Sequence, residues 1–178
     1  MHLDLVRELQ DRVADPDRFV DDKLPRHQLP LLRLTTKALR RSERQLGFPM
    51  APELREVLVA VGNGGWGPGY GLLGVEGGFG DDFKYDSVQR YLGFRQPPPN
   101  DSAWQWPEGL LPTAYLGCAM YLCVSCLGEV GKVVWFEPNP RELGQPLDRF
   151  LIPLYPSVSS WLEAWLRGED PLVDAAER

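Results

Sequence analysis

Apolar residues recur every four positions at the start of the chain. Leu5, Leu9 and Val13 form a stripe within Asp4 to Ala14, a spacing that predicts an amphipathic helix. The acidic stretch from Asp15 to Pro30 contains Pro16, Pro25 and Pro30 and reads as an irregular connection. Thr35 or Thr36 then caps a second helix that runs to Leu46, and Gly47 supplies the left-handed residue that ends it. Arg40, Arg41 and Arg44 lie on this helix and read as a solvated face. Pro52 suits the first position of a third helix, because its missing N–H has no partner there in any case. Leu54, Val57, Leu58 and Val61 make that helix's apolar face, and Gly62 is expected to close it.

The pattern then changes. A glycine-rich run follows to Gly80, with an apparent strand from Tyr70 to Val75 inside it. Asp86 to Leu92 predicts a short helix facing the core through Val88, Tyr91 and Leu92. Gln96 to Asp101 contains Pro97, Pro98 and Pro99 and is a loop, since three consecutive prolines cannot donate to a sheet ladder. Two apolar runs, Ala114 to Cys126 and Lys132 to Glu137, read as strands joined by a turn over Leu127 to Gly131. Arg149 to Leu154 is a further short strand. Ser157 or Ser160 caps a last helix carrying Val158, Trp161, Leu162, Trp165 and Leu166 on one face, and Gly168 ends it. Ser160 and Glu163 have capping-box spacing. Helices first, then a meander of strands, then a closing helix indicate an α+β fold rather than a doubly wound parallel sheet.

Composition and charge narrow the functional classes. The chain has 178 residues, with six Trp, six Tyr and seven Phe, enough large apolar side chains for a core without disulfides or metal. No apolar run reaches the roughly 20 residues that span a bilayer. The first twenty residues carry Asp4, Glu8, Asp11, Asp15 and Asp17 and do not resemble a signal peptide. Three cysteines, an odd number, suit a reducing compartment, and a cytoplasmic location is expected. Residues 1–50 hold ten basic and eight acidic residues, giving +2, while residues 51–178 hold nine and seventeen, giving −8. Such an acidic body repels phosphate backbones, which disfavours nucleic acid; the charge serves solubility alone or attracts a basic partner.

The glycine-rich run invites a phosphate-binding interpretation, and its context refuses it. A Walker loop needs Gly-Lys-Ser/Thr at its end, yet no lysine occurs in this run before Lys84. A dinucleotide fingerprint follows a strand and opens a helix, whereas this run follows a helix. The residues fit a tight reversal instead: Gly64, Gly65, Gly67 and Gly69 permit left-handed backbone, Pro68 stiffens the turn, and Asn63 hydrogen-bonds nearby backbone groups. Cys118, Cys123 and Cys126 have a C-x4-C-x2-C spacing, but in one continuous strand Cys123 points away from the other two. The histidines, His2 and His27, are remote in sequence and suggest neither a zinc ligand nor a partner for a nucleophile. Asp81, Asp82 and Asp86 lack the spacing of an EF-hand and read as a solvated acidic loop. No cofactor and no metal are expected, and an enzyme is not.

A resemblance then emerges from several motifs taken together. Leu46-Gly47-Phe48-Pro49, Pro52-Glu53-Leu54-Arg55 and the run Val61-Gly62-Asn63-Gly64-Gly65-Trp66-Gly67-Pro68-Gly69-Tyr70-Gly71-Leu72-Leu73 are similar to the SMI1/KNR4 (SUKH) superfamily. Trp106-Pro107-Glu108-Gly109-Leu110-Leu111-Pro112, Gly117-Cys118-Ala119 and Ser160-Trp161-Leu162-Glu163-Ala164-Trp165-Leu166 extend the resemblance. It implies a single α+β domain over residues 34–168, a mainly antiparallel or mixed sheet packed with helices, preceded by a helical arm (1–33) and followed by an acidic tail (169–178). It also implies a non-enzymatic, protein-binding role. Bacterial members are associated with immunity proteins that neutralise toxins, often nucleases, and the fungal founder with a regulatory scaffold. The expected contact residues are Trp66 and Tyr70, with Asp81, Asp82 and Asp86 as rim charges facing a basic toxin domain or another protein partner.

Overall fold

The computed structural model describes residues 3–15 and 31–169. The expected connection over 16–30, the tail beyond Glu169 and both histidines lie outside the described residues. The helices are α1 (Leu3–Ala14), α2 (Thr36–Leu46), α3 (Pro52–Ala60), α4 (Ser87–Phe94) and α5 (Val158–Leu166). Strands β1 (Leu110–Gly117), β2 (Met120–Ser125), β3 (Val133–Phe136) and β4 (Leu151–Tyr155) form one antiparallel sheet in sequential order. The protein is α+β, with an N-terminal helix, as the residue pattern predicts. No helix among the described residues is long and apolar enough to cross a membrane.

Local chemistry explains the helix ends. Thr35 accepts the Ala38 N–H at the start of α2, and Gly47 closes that helix with φ of 85°. Helix α3 starts at Pro52 but ends on Val61 in right-handed geometry, so Gly62 is not the left-handed terminator expected of it. Helix α5 is capped by Ser157, whose box partner is Ser160; Glu163 plays no part. The Glu53 carboxylate, in the first turn of α3, accepts the Ser159 N–H at 3.1 Å and its hydroxyl at 2.8 Å. It thereby ties α3 to the N-terminus of α5, where unpaired N–H groups favour negative charge.

Leu5, Leu9 and Val13 of α1 are buried in the same core as α3 and α5. Gln10 donates to the Ala60 carbonyl at 2.8 Å, and Arg12 donates to the Leu166 carbonyl at 2.9 Å. The Arg12 guanidinium also lies 4.7 Å from the centre of the Trp165 ring. A cation over an indole and at a helix C-terminus is favoured twice, by the ring quadrupole and by the helix dipole. Helix α1 is therefore packed against the body of the molecule.

The strands depart from the expected pattern at three places. Ala114 to Cys126 is not one strand but the second part of β1, a two-residue turn and β2, with Gly117 paired to Met120. Cys118 and Ala119 both take left-handed backbone, with φ of 49° and 62°. Turns of this kind match the twist of antiparallel strands, but they usually advertise themselves with Asn or Gly. The premise that the three cysteines alternate along one strand falls with it. Likewise, Tyr70 to Val75 is no strand: only Leu72 forms a bridge, to Ala114. Arg149 and Phe150 belong to a 3-10 turn ahead of β4.

Two-residue periodicity places Tyr115, Tyr121 and Phe136 on one face of the sheet. There Phe94 of α4 meets Tyr121 at 5.4 Å, Phe136 at 5.5 Å and Trp106 at 4.4 Å between ring centres. Each such pair contributes about 0.5–1.5 kcal/mol beyond area burial. Val88 and Tyr91 bury the inner side of α4, whereas Leu92, expected to face the core, is exposed. Both sheet edges are managed. Pro153 interrupts the outer strand β4, and the outer edge of β1 receives the Tyr70 N–H on Tyr115 O and the Leu73 N–H on Thr113 O.

Candidate functional site

The glycine-rich run is a closed loop that seals the edge of the sheet. The Gly65 N–H donates to Leu72 O and the Leu72 N–H to Trp66 O, joining its two legs. Asn63 is buried beneath them. Its Oδ1 accepts the Val75 N–H at 2.9 Å and its Nδ2 donates to Val75 O at 3.0 Å, so one side chain serves both backbone groups as a strand partner would. Gly64, at φ of 78°, touches the backbone of Leu72 and Gly74 so closely that no side chain fits.

This turn sends Trp66 inward. The residue is fully buried, its indole N–H donates to Gly62 O at 2.9 Å, and its ring lies 6.4 Å from that of Trp165. Trp66 therefore fills the core and is not the surface contact expected. Tyr70, by contrast, stands at the tip of the loop, 40% exposed, with its ring 5.7 Å from Tyr115.

The three aspartates after the loop have three different roles. Asp81 is buried, not a rim charge. Its Oδ1 accepts the Phe83 and Tyr85 N–H groups at 2.9 and 3.2 Å, and its Oδ2 accepts the Tyr121 hydroxyl at 2.9 Å and Arg90 Nε at 2.8 Å. A second Arg90 nitrogen, Nη2, also bonds to Oδ2. Burial pushes the Tyr121 hydroxyl far above its ordinary pKa, against the lowering effect of the Arg90 charge and with the Asp81 carboxylate adding to it. Asp86 is the N-cap of α4 and shares a capping box with Gln89. Burial raises its pKa, against the lowering effect of the helix N–H groups. Asp82 alone is exposed, beside Tyr115, whose hydroxyl is pushed up first by burial and then by its hydrogen bond to Asp82.

The structure brings forward two residues that the sequence reading passed over. Phe83 is 71% exposed and Tyr85 47% exposed, both on the loop that Asp81 anchors. The Arg90 guanidinium sits 5.6 Å from the Phe83 ring and 4.8 Å from the Tyr85 ring, supporting both from below. Two aromatics in the polar sequence Asp82-Phe83-Lys84-Tyr85 were the available signal. The resulting surface joins Tyr70, Asp82, Phe83 and Tyr85, with Tyr115 bridging Tyr70 to Asp82.

Arg141 donates to Asp101 at 2.6 Å in a second buried pair and lies over Trp104 at 5.2 Å, and this contact holds the Asp101 carboxyl below its ordinary range. Cys123 and Cys126 are buried and Cys118 is exposed at the hairpin turn. Among the described residues no three His, Cys, Asp or Glu side chains converge as metal ligands would.

A helix-flanked antiparallel meander whose open edge is sealed by a glycine loop defines an α+β domain. The family model described as SMI1 / KNR4 family (SUKH-1) matches residues 33–164, and the chain belongs to this family. Helix α1 precedes the matched residues. No curated protein and no solved structure matches the chain.

Proposed function

We propose that this protein is a non-enzymatic protein-binding domain acting as a bacterial immunity protein, which neutralises a toxin, in the favoured case a nuclease, by direct binding. Family membership supports a binding role. The observation that carries the reading is the exposed group of Tyr70, Phe83 and Tyr85 beside Asp82, on a body in which residues 51–178 carry −8. Aromatics supply contact area at low entropic cost, and acidic charge accelerates capture of a basic toxin and covers its phosphate-binding face.

The test is co-expression with a toxin encoded beside the gene. Rescue of growth is expected, with a complex that co-purifies and weakens as salt rises. A neighbouring toxin that neither binds nor loses toxicity sinks the proposal.

A different observation favours a second reading, a regulatory scaffold or peptide-binding module with a cellular partner. An open groove of about 440 Å³ runs between the β2–β3 turn and β4, lined by Glu129, Val130, Lys132, Pro153, Leu154 and Tyr155. Pull-down from native lysate separates the two, and recovery of no specific cellular partner counts against this alternative.

A further inference from the structure

We infer that the outer face of the loop from Asp81 to Asp86, together with Tyr70, is the surface that grips the partner, and that the partner meets it with a basic protein surface bearing lysine or arginine beside apolar side chains. The inference rests on the protein-binding reading above and deepens it.

Three features converge on this loop. The first is aromatic exposure on linked segments: Tyr70, Phe83 and Tyr85 are 40%, 71% and 47% exposed. Tyr115 links Tyr70 to Asp82 from beneath, and Arg90 links Phe83 to Tyr85. Exposed aromatics grouped in this way mark interaction surfaces more often than scattered ones do.

The second is rigidity. Asp81 accepts two N–H groups from the loop, the Lys84 N–H returns to Asp81 O, and the Asp81 N–H donates to Tyr85 O. Lys84 is held in left-handed backbone at φ of 65°. Arg90 fixes the carboxylate from α4 and presents its guanidinium to both rings. A surface ordered before contact loses little entropy on binding. Arg90 is thus a positioning residue for the rings and Asp81 is its anchor.

The third is charge. Arg90 is matched by Asp81 and Asp86 caps α4, so Asp82 is the exposed carboxylate of the loop, beside Lys84, on a chain whose residues 51–178 carry −8. The inner sides of Phe83 and Tyr85 already face a cation, which leaves their outer sides for apolar stems, while Asp82 takes the charged ends.

The test separates this surface from the immunity reading. Nitrogen-15-labelled protein is titrated with a short synthetic peptide of lysine and leucine, followed by backbone NMR. Shifts are expected to concentrate at Gly69 to Gly71 and Asp81 to Asp86, and to vanish with a glutamate-for-lysine peptide. Phe83→Ala and Tyr85→Ala should each weaken binding by about tenfold, the effect of losing one anchor residue. Asp82→Lys should weaken it most at low salt, and the exposed control Leu143→Ala should bind as wild type. Because Phe83 and Tyr85 are exposed, unchanged melting curves confirm that these variants fold. Absence of binding, shifts mapping to another face, or variants that bind like wild type overturn the surface. In the toxin assay, full rescue by the Phe83→Ala/Tyr85→Ala double variant also overturns it and leaves the immunity reading standing. Localised peptide shifts without toxin rescue do the reverse.

Discussion

Arg90 of α4 donates two N–H groups, from Nε and Nη2, to the same oxygen of Asp81, inside a ring of Phe83, Tyr85, Phe94 and Tyr121. The Asp81 side chain is completely buried and that of Arg90 nearly so. The pair links the loop that follows the glycine run to helix α4 and, through the Tyr121 hydroxyl, to β2.

Removing the carboxylate strands the guanidinium, the Tyr121 hydroxyl and two backbone N–H groups together. Asp81→Ala should therefore destabilise the domain by roughly 3–5 kcal/mol, the usual effect of breaking one side of a buried pair. Urea denaturation measures this. A loss under 1 kcal/mol, within the range of a surface salt bridge, would show that the pair does not hold the loop.

The glycine loop makes a sharper contrast. A Cβ on Gly64 would lie within 2.5 Å of Leu72 O and closer still to Gly74 N. Gly64→Ala should cost well beyond the about 1–2 kcal/mol of left-handed backbone alone. Gly128 has the same backbone sign and open space around it, so Gly128→Ala should cost only that backbone amount. Equal thermal shifts for the two variants would contradict the close approach.

Leu9 tests whether α1 belongs to the body. It is fully buried against the common core. Leu9→Ala should lower stability by about 2–5 kcal/mol in the single unfolding transition of the whole protein. An unchanged main transition, with a separate low-stability step, would make α1 an independent arm.

The cysteines divide by burial. The Cys126 thiol is pushed up to about 11 by burial and the Cys123 thiol well above its ordinary value, so neither supplies thiolate near neutrality. Folded protein at mildly alkaline pH should release one equivalent from a thiol-exchange reagent, from exposed Cys118, and three after denaturation. Rapid reaction of three thiols in the folded state would refute this assignment.

How much of this was legible depended on range. Thr35, Gly47 and Ser157 act on groups three or four residues away, so α2 and α5 could be read from their neighbours. The turn at Cys118 and Ala119 was hidden, because neither residue favours left-handed backbone. Pairing of Tyr115 with Tyr121, and of β2 with β3, imposes it from outside. Trp66 and Tyr70 looked equivalent as aromatics beside glycines. Only contact with Trp165, far along the chain, buries one of them.

The sequence by itself determined the α+β order and the acidic charge, since periodicity, local caps and net charge need no knowledge of which segments meet, and its motifs carried the family resemblance. Tertiary structure alone decided the surface. Asp81, Asp82 and Asp86 are chemically identical, yet one is locked in a buried pair, one is solvated and one caps a helix. Asp86 caps α4 through Gln89, three residues on, whereas the roles of Asp81 and Asp82 are settled only when α4 and the sheet fold around the loop.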